Sequence, residues 1–220
     1  MGRCIMVLGT PHSGTSCVAG VLHRLGVNMG GGYFQPGDKN NTQGYYEDKR
    51  WQQINKDLAA NYQNKLYYDV IQPETLTTTD AERYETLTAV CEQQPIWGFK
   101  NPRGCFLAQF IWPYLEDVRL VVTERDPEHS ARSIKEHSRV SHAGRLYMTI
   151  EEARKLIAVY QVALAQRLEE FTGPVHTINY RRMIATDKVA EVGALRDFCF
   201  DGLFENSCAS LYERMDHHYG

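Results

Sequence analysis

The sequence contains no long apolar run and no excess of positive charge. Its first apolar run, Cys4–Leu8, is five residues long, and no run approaches the roughly 18 residues that a membrane-spanning helix requires. Thr10-Pro11-His12-Ser13 follows this run, where a secretory signal would carry small residues for cleavage. The formal net charge of -3 differs from the basic excess typical of nucleic-acid-binding proteins. We therefore expect no membrane span, no nucleic-acid partner and a cytoplasmic location.

Metal-binding and disulfide patterns are absent from the sequence as well. The six cysteines are scattered without a CxxC pair or a metal-finger spacing, and the eight histidines include no HExxH pattern. Cysteine is among the most buried residue types, so we interpret all six as reduced thiols in the interior. We expect no bound metal.

The overall composition is that of an ordinary globular protein. Of the 220 residues, 43% are hydrophobic, 11% aromatic and 23% charged. A chain of this length corresponds to one domain of average or slightly large size. Because no repeat, low-complexity tract or linker interrupts it, we predict a single domain over residues 1–220.

Short apolar runs alternate with segments of helical periodicity along the chain. Four buried strands are predicted, at Cys4–Leu8, Pro95–Phe99, Val118–Thr123 and Val175–Ile178. Capping boxes that begin at Thr79 and Thr149 predict two of the intervening helices. Another helix is predicted by an apolar face made of Trp51, Ile54, Leu58, Tyr62 and Leu66. This order predicts an α/β, three-layer fold in which helices cover a central parallel sheet of about four to five strands.

A loop framed by two glycines, Gly9-Thr10-Pro11-His12-Ser13-Gly14-Thr15-Ser16, lies between the first predicted strand and its helix. The backbone N–H groups of such a loop bind phosphate, so the fold is predicted to be of the P-loop type. Thr15 stands where loops that bind nucleoside triphosphates have lysine. Neighbouring strands end in Lys100 and Arg125, and not in the aspartate that would hold Mg²⁺. This pattern favours a donor whose phosphates are neutralised by side chains, without metal, over the Mg²⁺-bound nucleotide of a kinase.

Four segments in the same order resemble the sulfotransferases that use 3′-phosphoadenosine 5′-phosphosulfate. In that family the loop reads Pro, Lys or Arg, Ser, Gly, Thr, Ser or Thr, and here it reads Pro11-His12-Ser13-Gly14-Thr15-Ser16. The family's 3′-phosphate site has an arginine and, eight residues later, a serine, as Arg125 and Ser133 stand here. The two other segments are Asn41–Asp48, which resembles Asn-x-x-Gly-Tyr-Phe-Glu-Asp, and Trp97–Arg103, which resembles Lys-Asp-Pro-Arg.

The resemblance implies a role for each matching residue. Glu47 would be the general base, Lys100 would stabilise the sulfuryl group in transfer, and His12 would neutralise the leaving group. Arg125 and Ser133 would bind the 3′-phosphate of the donor. The remaining donor-binding residues would be Pro11, His12, Ser13, Gly14, Thr15 and Ser16.

Two positions depart from the family pattern. His12 stands where the family has lysine or arginine, and Asn101 replaces the usual aspartate. An imidazole has an unperturbed pKa near 6.5, so a permanent charge at the leaving group is no longer guaranteed. We expect the anionic donor to raise the pKa of His12 and keep it protonated in the complex.

Two other functions are compatible with the same residues. One is a small-molecule kinase, which would need Mg²⁺, and the other is a nucleotide-binding protein without catalysis, for which His12 is the suggestive feature. For the sulfotransferase, the partner would be a small-molecule or glycan acceptor with a hydroxyl or amine. Neither the acceptor nor an oligomeric state is encoded in a recognisable motif, since acceptor pockets are built from variable loops.

Overall fold

The computed structural model describes residues 2–30, 37, 41–61, 75–141, 148–185 and 188–201. The predictions for Tyr62 and Leu66, and the reading of Cys208 as a buried thiol, lie outside the described residues. The strands are β1 (Arg3–Gly9), β2 (Ile96–Lys100), β3 (Asp117–Glu124) and β4 (Val175–Asn179). The helices are α1 (Thr15–Arg24), α2 (Lys49–Asn61), α3 (Thr78–Cys91), α4 (Gly104–Leu107), α5 (Pro127–Ser141), α6 (Ile150–Glu170), α7 (Tyr180–Met183) and α8 (Lys188–Phe200).

The four strands form one parallel sheet in the order β2-β1-β3-β4. Arg3 pairs with Ile96 of β2 and with Asp117 of β3, so the three strands are in level register. Every residue of β1 is buried, as expected for a central strand covered on both faces. The predicted α/β fold with a parallel sheet is confirmed, and each predicted strand is correct to within one residue at either end.

Successive side chains of β1 enter two separate cores, because neighbouring residues of a strand point to opposite faces of the sheet. Met6 belongs to a core that α2 and α3 complete with residues such as Trp51. Ile5 belongs to the opposite core, which α1 and α8 complete with residues such as Leu22. Helices therefore cover both faces of the sheet, as the three-layer prediction requires.

An aromatic cluster fixes the start of α2 against β2. The indole of Trp51 lies nearly parallel to that of Trp97, with ring centroids 6.2 Å apart, and meets the ring of Phe99 edge-on at 4.9 Å. Trp51 is 1% exposed, so it is a core residue and not part of an open pocket. Because Glu47 comes shortly before Trp51 in sequence, this packing holds Glu47 close to the carboxyl end of β2.

One of the two predicted capping boxes is confirmed and the other is wrong. The Thr149 hydroxyl accepts from the N–H of Glu152, and the Glu152 carboxylate accepts from the N–H of Thr149. At α3 the cap is Thr77, whose hydroxyl accepts from the N–H of Asp80, and Thr79 lies inside the helix. Each of three consecutive threonines could be the N-cap residue. The buried Asp80, three residues after Thr77, selects Thr77 as the cap.

The segment between β2 and β3 is helical although its sequence shows no helical period. It consists of α4 and two 3₁₀ turns, Ala108–Phe110 and Trp112–Tyr114. Elements of three or four residues are too short to show a repeat in the sequence. In the part of the chain that the structure describes, no helix is both long enough and apolar enough to cross a membrane.

The position of the α3 cap can be tested with two neighbouring threonines. T77A removes the hydroxyl that satisfies the N–H of Asp80, so the free energy of unfolding should fall by about 1 kcal/mol. T79A is the matched control, because Thr79 is exposed within the helix and alanine is the better helix former. Urea unfolding of both variants measures the difference, and a loss in T79A as large as that in T77A would show that the cap lies at Thr79.

Candidate active site

The loop between β1 and α1 is held in an unusual backbone conformation. His12 has φ 61° and Gly14 has φ 101°, both in the left-handed region. A side chain at Gly14 would meet the ring of Tyr180 at 2.2 Å, so only glycine fits both the angle and the space. Gly14 also precedes α1, whose first N–H groups and positive dipole end favour a bound anion. The loop therefore has the glycine turn and the adjacent helix N-terminus that an anion-binding loop requires.

The hydroxyl of Ser13 lies inside the loop and links it to β3. Ser13 is fully buried, and its Oγ lies 2.7 Å from the carbonyl oxygen of Thr10 and 2.6 Å from Oγ1 of Thr123. Thr123 faces Gly9 across the sheet, and a side chain at Gly9 would overlap its hydroxyl. Sequence analysis missed Thr123, which only the register of two strands brings to the loop.

Glu47 and Lys100 form a buried ion pair beside this loop. The ammonium of Lys100 lies 2.5 Å from Oε1 of Glu47 and 3.1 Å from the hydroxyl of Ser16. The side chain of Glu47 is 1% exposed and that of Lys100 is 3% exposed. The structure thus brings together three residues that the sequence had placed in three different segments.

Gln52 holds the other oxygen of Glu47. Its side-chain amide donates to Oε2 of Glu47 at 2.7 Å, and both residues are buried. Gln52 lies in the first turn of α2, so the helix itself orients the carboxylate. Sequence analysis did not identify Gln52; its position shortly after Glu47, at the start of a helix, is the only signal for it.

Arg125, Ser133 and His12 form a second cluster at the opposite side of the loop. The guanidinium of Arg125 donates to the carbonyl oxygen of His12 at 2.9 Å and lies 4.8 Å from the centre of the Tyr180 ring. The hydroxyl of Ser133 lies 2.8 Å from Nδ1 of His12, and the ring of His137, one turn later on α5, meets the His12 ring edge-on. These contacts fasten the loop to α5 and to the end of β3.

Burial and neighbouring positive groups lower the pKa of His12. Burial is the largest cause, and His137, Arg125 and Lys100 contribute in that order, so that the pKa falls to about 3. In the absence of a ligand, His12 is therefore neutral at pH 7. The two clusters are electrostatically connected, since Lys100 belongs to the first and His12 to the second.

The remaining predicted residues lie within or next to the loop. Pro11 is buried in it, and Thr15 is the first residue of α1. Asn101, one of the two departures from the family pattern, accepts from the N–H of Arg103 through its side-chain oxygen at 2.9 Å and closes the turn after β2. Among the residues described, no three histidine, cysteine, aspartate or glutamate side chains converge as a metal site would require.

The buried ion pair makes a sharp prediction for stability. K100M leaves Glu47 as an unpaired buried carboxylate and should lower the free energy of unfolding by about 3–5 kcal/mol. The double variant E47Q/K100M removes both charges and should recover most of this loss. As a control, R154M removes a partner from the exposed Arg154–Glu128 pair and should change stability little. Urea unfolding of the four proteins tests this, and equal stability of K100M and the double variant would contradict it.

Comparison with known proteins places the fold and the family. No curated protein matches the chain. The structure of sulfotransferase STF9 from Mycobacterium avium is similar with a TM-score of 0.58 and 16% identity, over 100% of this chain and 69% of that one. The structure of sulfotransferase STF1 from Mycobacterium tuberculosis H37Rv is similar with a TM-score of 0.55 and 13% identity, over 99% of this chain and 72% of that one.

At such low identity these two structures establish the fold alone. The family is established by the sequence, since the model of the sulfotransferase family matches residues 4–201. That range includes the loop, both clusters and the four strands except for Arg3, the first residue of β1. The chain therefore belongs to the sulfotransferase family and is an enzyme of the transferase class.

Proposed function

We propose that this enzyme transfers a sulfuryl group from 3′-phosphoadenosine 5′-phosphosulfate to a hydroxyl or amine of a small-molecule or glycan acceptor. The observation that carries the proposal is the buried cluster of Glu47, Lys100 and Ser16 beside the anion-binding loop. It brings a carboxylate that can accept a proton next to a cation that can stabilise an anion. Sulfuryl transfer needs both groups at one place, and it needs no metal ion when side chains supply the charge.

The donor would lie across the loop and the two clusters. Its 5′-phosphosulfate would be held by the N-terminus of α1 and the loop Pro11–Ser16, in which the buried Ser13 hydroxyl serves as an internal brace. Its 3′-phosphate would be held by Arg125 and Ser133. Both clusters contact the loop, which supports a ligand with two separate anionic groups.

The reaction would proceed in line. An acceptor oxygen or nitrogen attacks the sulfur atom while the bond from sulfur to the bridging oxygen of the 5′-phosphate breaks. The acceptor proton passes to the carboxylate of Glu47, and the bridging oxygen departs on 3′,5′-adenosine bisphosphate with its negative charge. Lys100 would stabilise the sulfuryl group in transfer, and His12 would be the second group to neutralise the leaving 5′-phosphate.

The ion pair adds an order to these events. Without donor, the ammonium of Lys100 donates to Oε1 of Glu47 and competes with an acceptor hydroxyl or amine for that oxygen. A bound sulfuryl group competes for the same ammonium, because Lys100 also contacts Ser16 of the loop. Glu47 would then act as a base chiefly when the donor is in place.

The nature of the nucleotide can be tested by thermal shift. The protein should be stabilised by 3′,5′-adenosine bisphosphate in the presence of EDTA, and a ligand at 100 times its Kd adds about 2.7 kcal/mol. ATP with Mg²⁺ and AMP are the comparison ligands. Stabilisation by ATP only when Mg²⁺ is present, with none by the bisphosphate, would identify a kinase and overturn the proposal.

The role of Arg125 can be separated from general loss of positive charge. R125A should weaken binding of the bisphosphate roughly 10- to 100-fold and that of AMP far less, because AMP lacks the 3′-phosphate. R132A is the matched control, since Arg132 is an exposed arginine on α5 that pairs with Glu128. Isothermal titration measures the affinities of wild type, R125A and R132A for both nucleotides. Equal losses for both nucleotides in R125A would exclude a contact to the 3′-phosphate.

Removal of the base should affect turnover and leave donor binding in place. E47Q keeps the shape of the side chain and should reduce transfer about 10²–10⁴-fold, while affinity for the bisphosphate is retained. The assay is transfer of radiolabelled sulfonate to a panel of phenols, sugars and tyrosine peptides. E85Q, at an exposed glutamate of α3, is the control. Unchanged turnover in E47Q would show that another group takes the proton.

A further inference from the structure

Ser133 contacts both a candidate ligand site and a residue of the loop. Its hydroxyl is 2.8 Å from Nδ1 of His12, although the two residues are 121 positions apart in sequence. Ser133 lies on α5, the helix that follows Arg125, so it is at the proposed 3′-phosphate site. His12 lies in the loop, at the proposed 5′-phosphosulfate site. One side-chain contact thus joins the two anionic ends of the donor site.

A serine hydroxyl has a single proton, which limits what this contact can do. Without ligand, neutral His12 carries its proton on Nε2 when the Ser133 hydroxyl donates to Nδ1. A fully ionised 3′-phosphate, the main form above about pH 6, offers only acceptor oxygens, so a Ser133 hydroxyl that binds it must donate to the phosphate. The same hydroxyl can then only accept from His12, and Nδ1 must carry a proton.

Nε2 of His12 must also carry a proton if it contacts the other end of the donor. The 5′-phosphosulfate also offers only acceptor oxygens, so a ring nitrogen that contacts it must carry a proton. When both ends of the donor are bound, both ring nitrogens of His12 are therefore protonated, and the imidazole becomes a cation. When the 3′-phosphate is missing, the neutral form with its proton on Nε2 satisfies both the Ser133 contact and a contact to the 5′-phosphosulfate.

We propose that Ser133 is a positioning residue that makes the charge of His12 depend on the 3′-phosphate of the donor. This inference rests on the proposed function and deepens it. The 3′-phosphate is far from the bond that breaks. Through Ser133 it promotes protonation of His12, which places a positive charge at the leaving group. A nucleotide without a 3′-phosphate would bind to the loop without this charge, so the contact selects for 3′-phosphorylated donors in the chemical step.

The surroundings of His12 agree with a charge that appears only with the ligand. His137 on α5, Arg125 at the end of β3 and Lys100 at the end of β2 all oppose its protonation. Glu47, the carboxylate that pairs with Lys100, is also bound by Gln52. An anionic donor placed among these cations reverses the balance. Because the pKa of His12 is about 3 without ligand and higher with it, bisphosphate affinity should fall by up to about tenfold per pH unit between about pH 3 and the raised pKa and become constant above it.

The test counts the protons taken up when a nucleotide binds. Isothermal titration in buffers of different ionisation enthalpy, between pH 5.5 and 7.5, gives this number for 3′,5′-adenosine bisphosphate and for AMP. Wild-type protein should take up more protons with the bisphosphate than H12R does, approaching one proton more at the acid end of the range. With AMP, wild type and H12R should agree. The titration of the phosphates in each complex is measured separately by their ³¹P chemical shifts and subtracted, because H12R changes the charge next to them.

Two substitutions at Ser133 separate the hydrogen bond from simple charge attraction. S133A keeps the charges and removes the hydroxyl, so its extra proton uptake with the bisphosphate should disappear, and S133T should restore it. ¹⁵N-histidine spectra give an independent readout, with both ring nitrogens of His12 protonated in the wild-type bisphosphate complex and not in the AMP complex. The inference is overturned if wild type and H12R take up equal numbers of protons, or if S133A behaves as wild type. Absence of any bisphosphate binding to wild type would instead overturn the proposed function.

Discussion

The parallel pairing of β1 with both of its neighbours is the constraint on which the site depends. Because the strands run in the same direction, their carboxyl ends meet at one edge of the sheet, next to the N-terminus of α1. Gly9 therefore lies opposite Thr123, and Lys100 and Arg125 leave the sheet on either side of the loop. The loop turns between these neighbours through His12 and Gly14, the two residues of the loop with positive φ.

Without a ligand, the basic side chains of the site are either neutral or in contact with other groups of the protein. Lys100 is neutralised by Glu47, and His12 is kept neutral by burial and by the positive groups around it. Arg125 lies against the ring of Tyr180 and binds the backbone of the loop. A polyanionic donor would engage all three at once. These contacts limit the repulsion between the positive groups in the free enzyme. The repulsion that remains acts at the site where an anion would bind, and a bound anion would reduce it.

Most of the fold followed from local patterns in the sequence. The four strands, the glycine-framed loop and the cap at Thr149 were predicted correctly, because apolar runs, turn residues and capping spacings act over a few residues. The failures were also local. The cap of α3 was placed at Thr79 and not at Thr77, since neighbouring threonines offer equivalent frames, and the short elements between β2 and β3 carry no period.

The sequence by itself determined which chemical groups stand at the ends of the strands and to which family the chain is related. Tertiary structure alone decided how those groups meet. Glu47 reaches Lys100 because Trp51 packs on β2, and Ser133 reaches His12 because α5 folds back beside the loop. Thr123 reaches Ser13 for the same reason. Hydrogen bonds and ion pairs depend on distances of a few ångströms between segments far apart in the chain, and no local pattern encodes those distances.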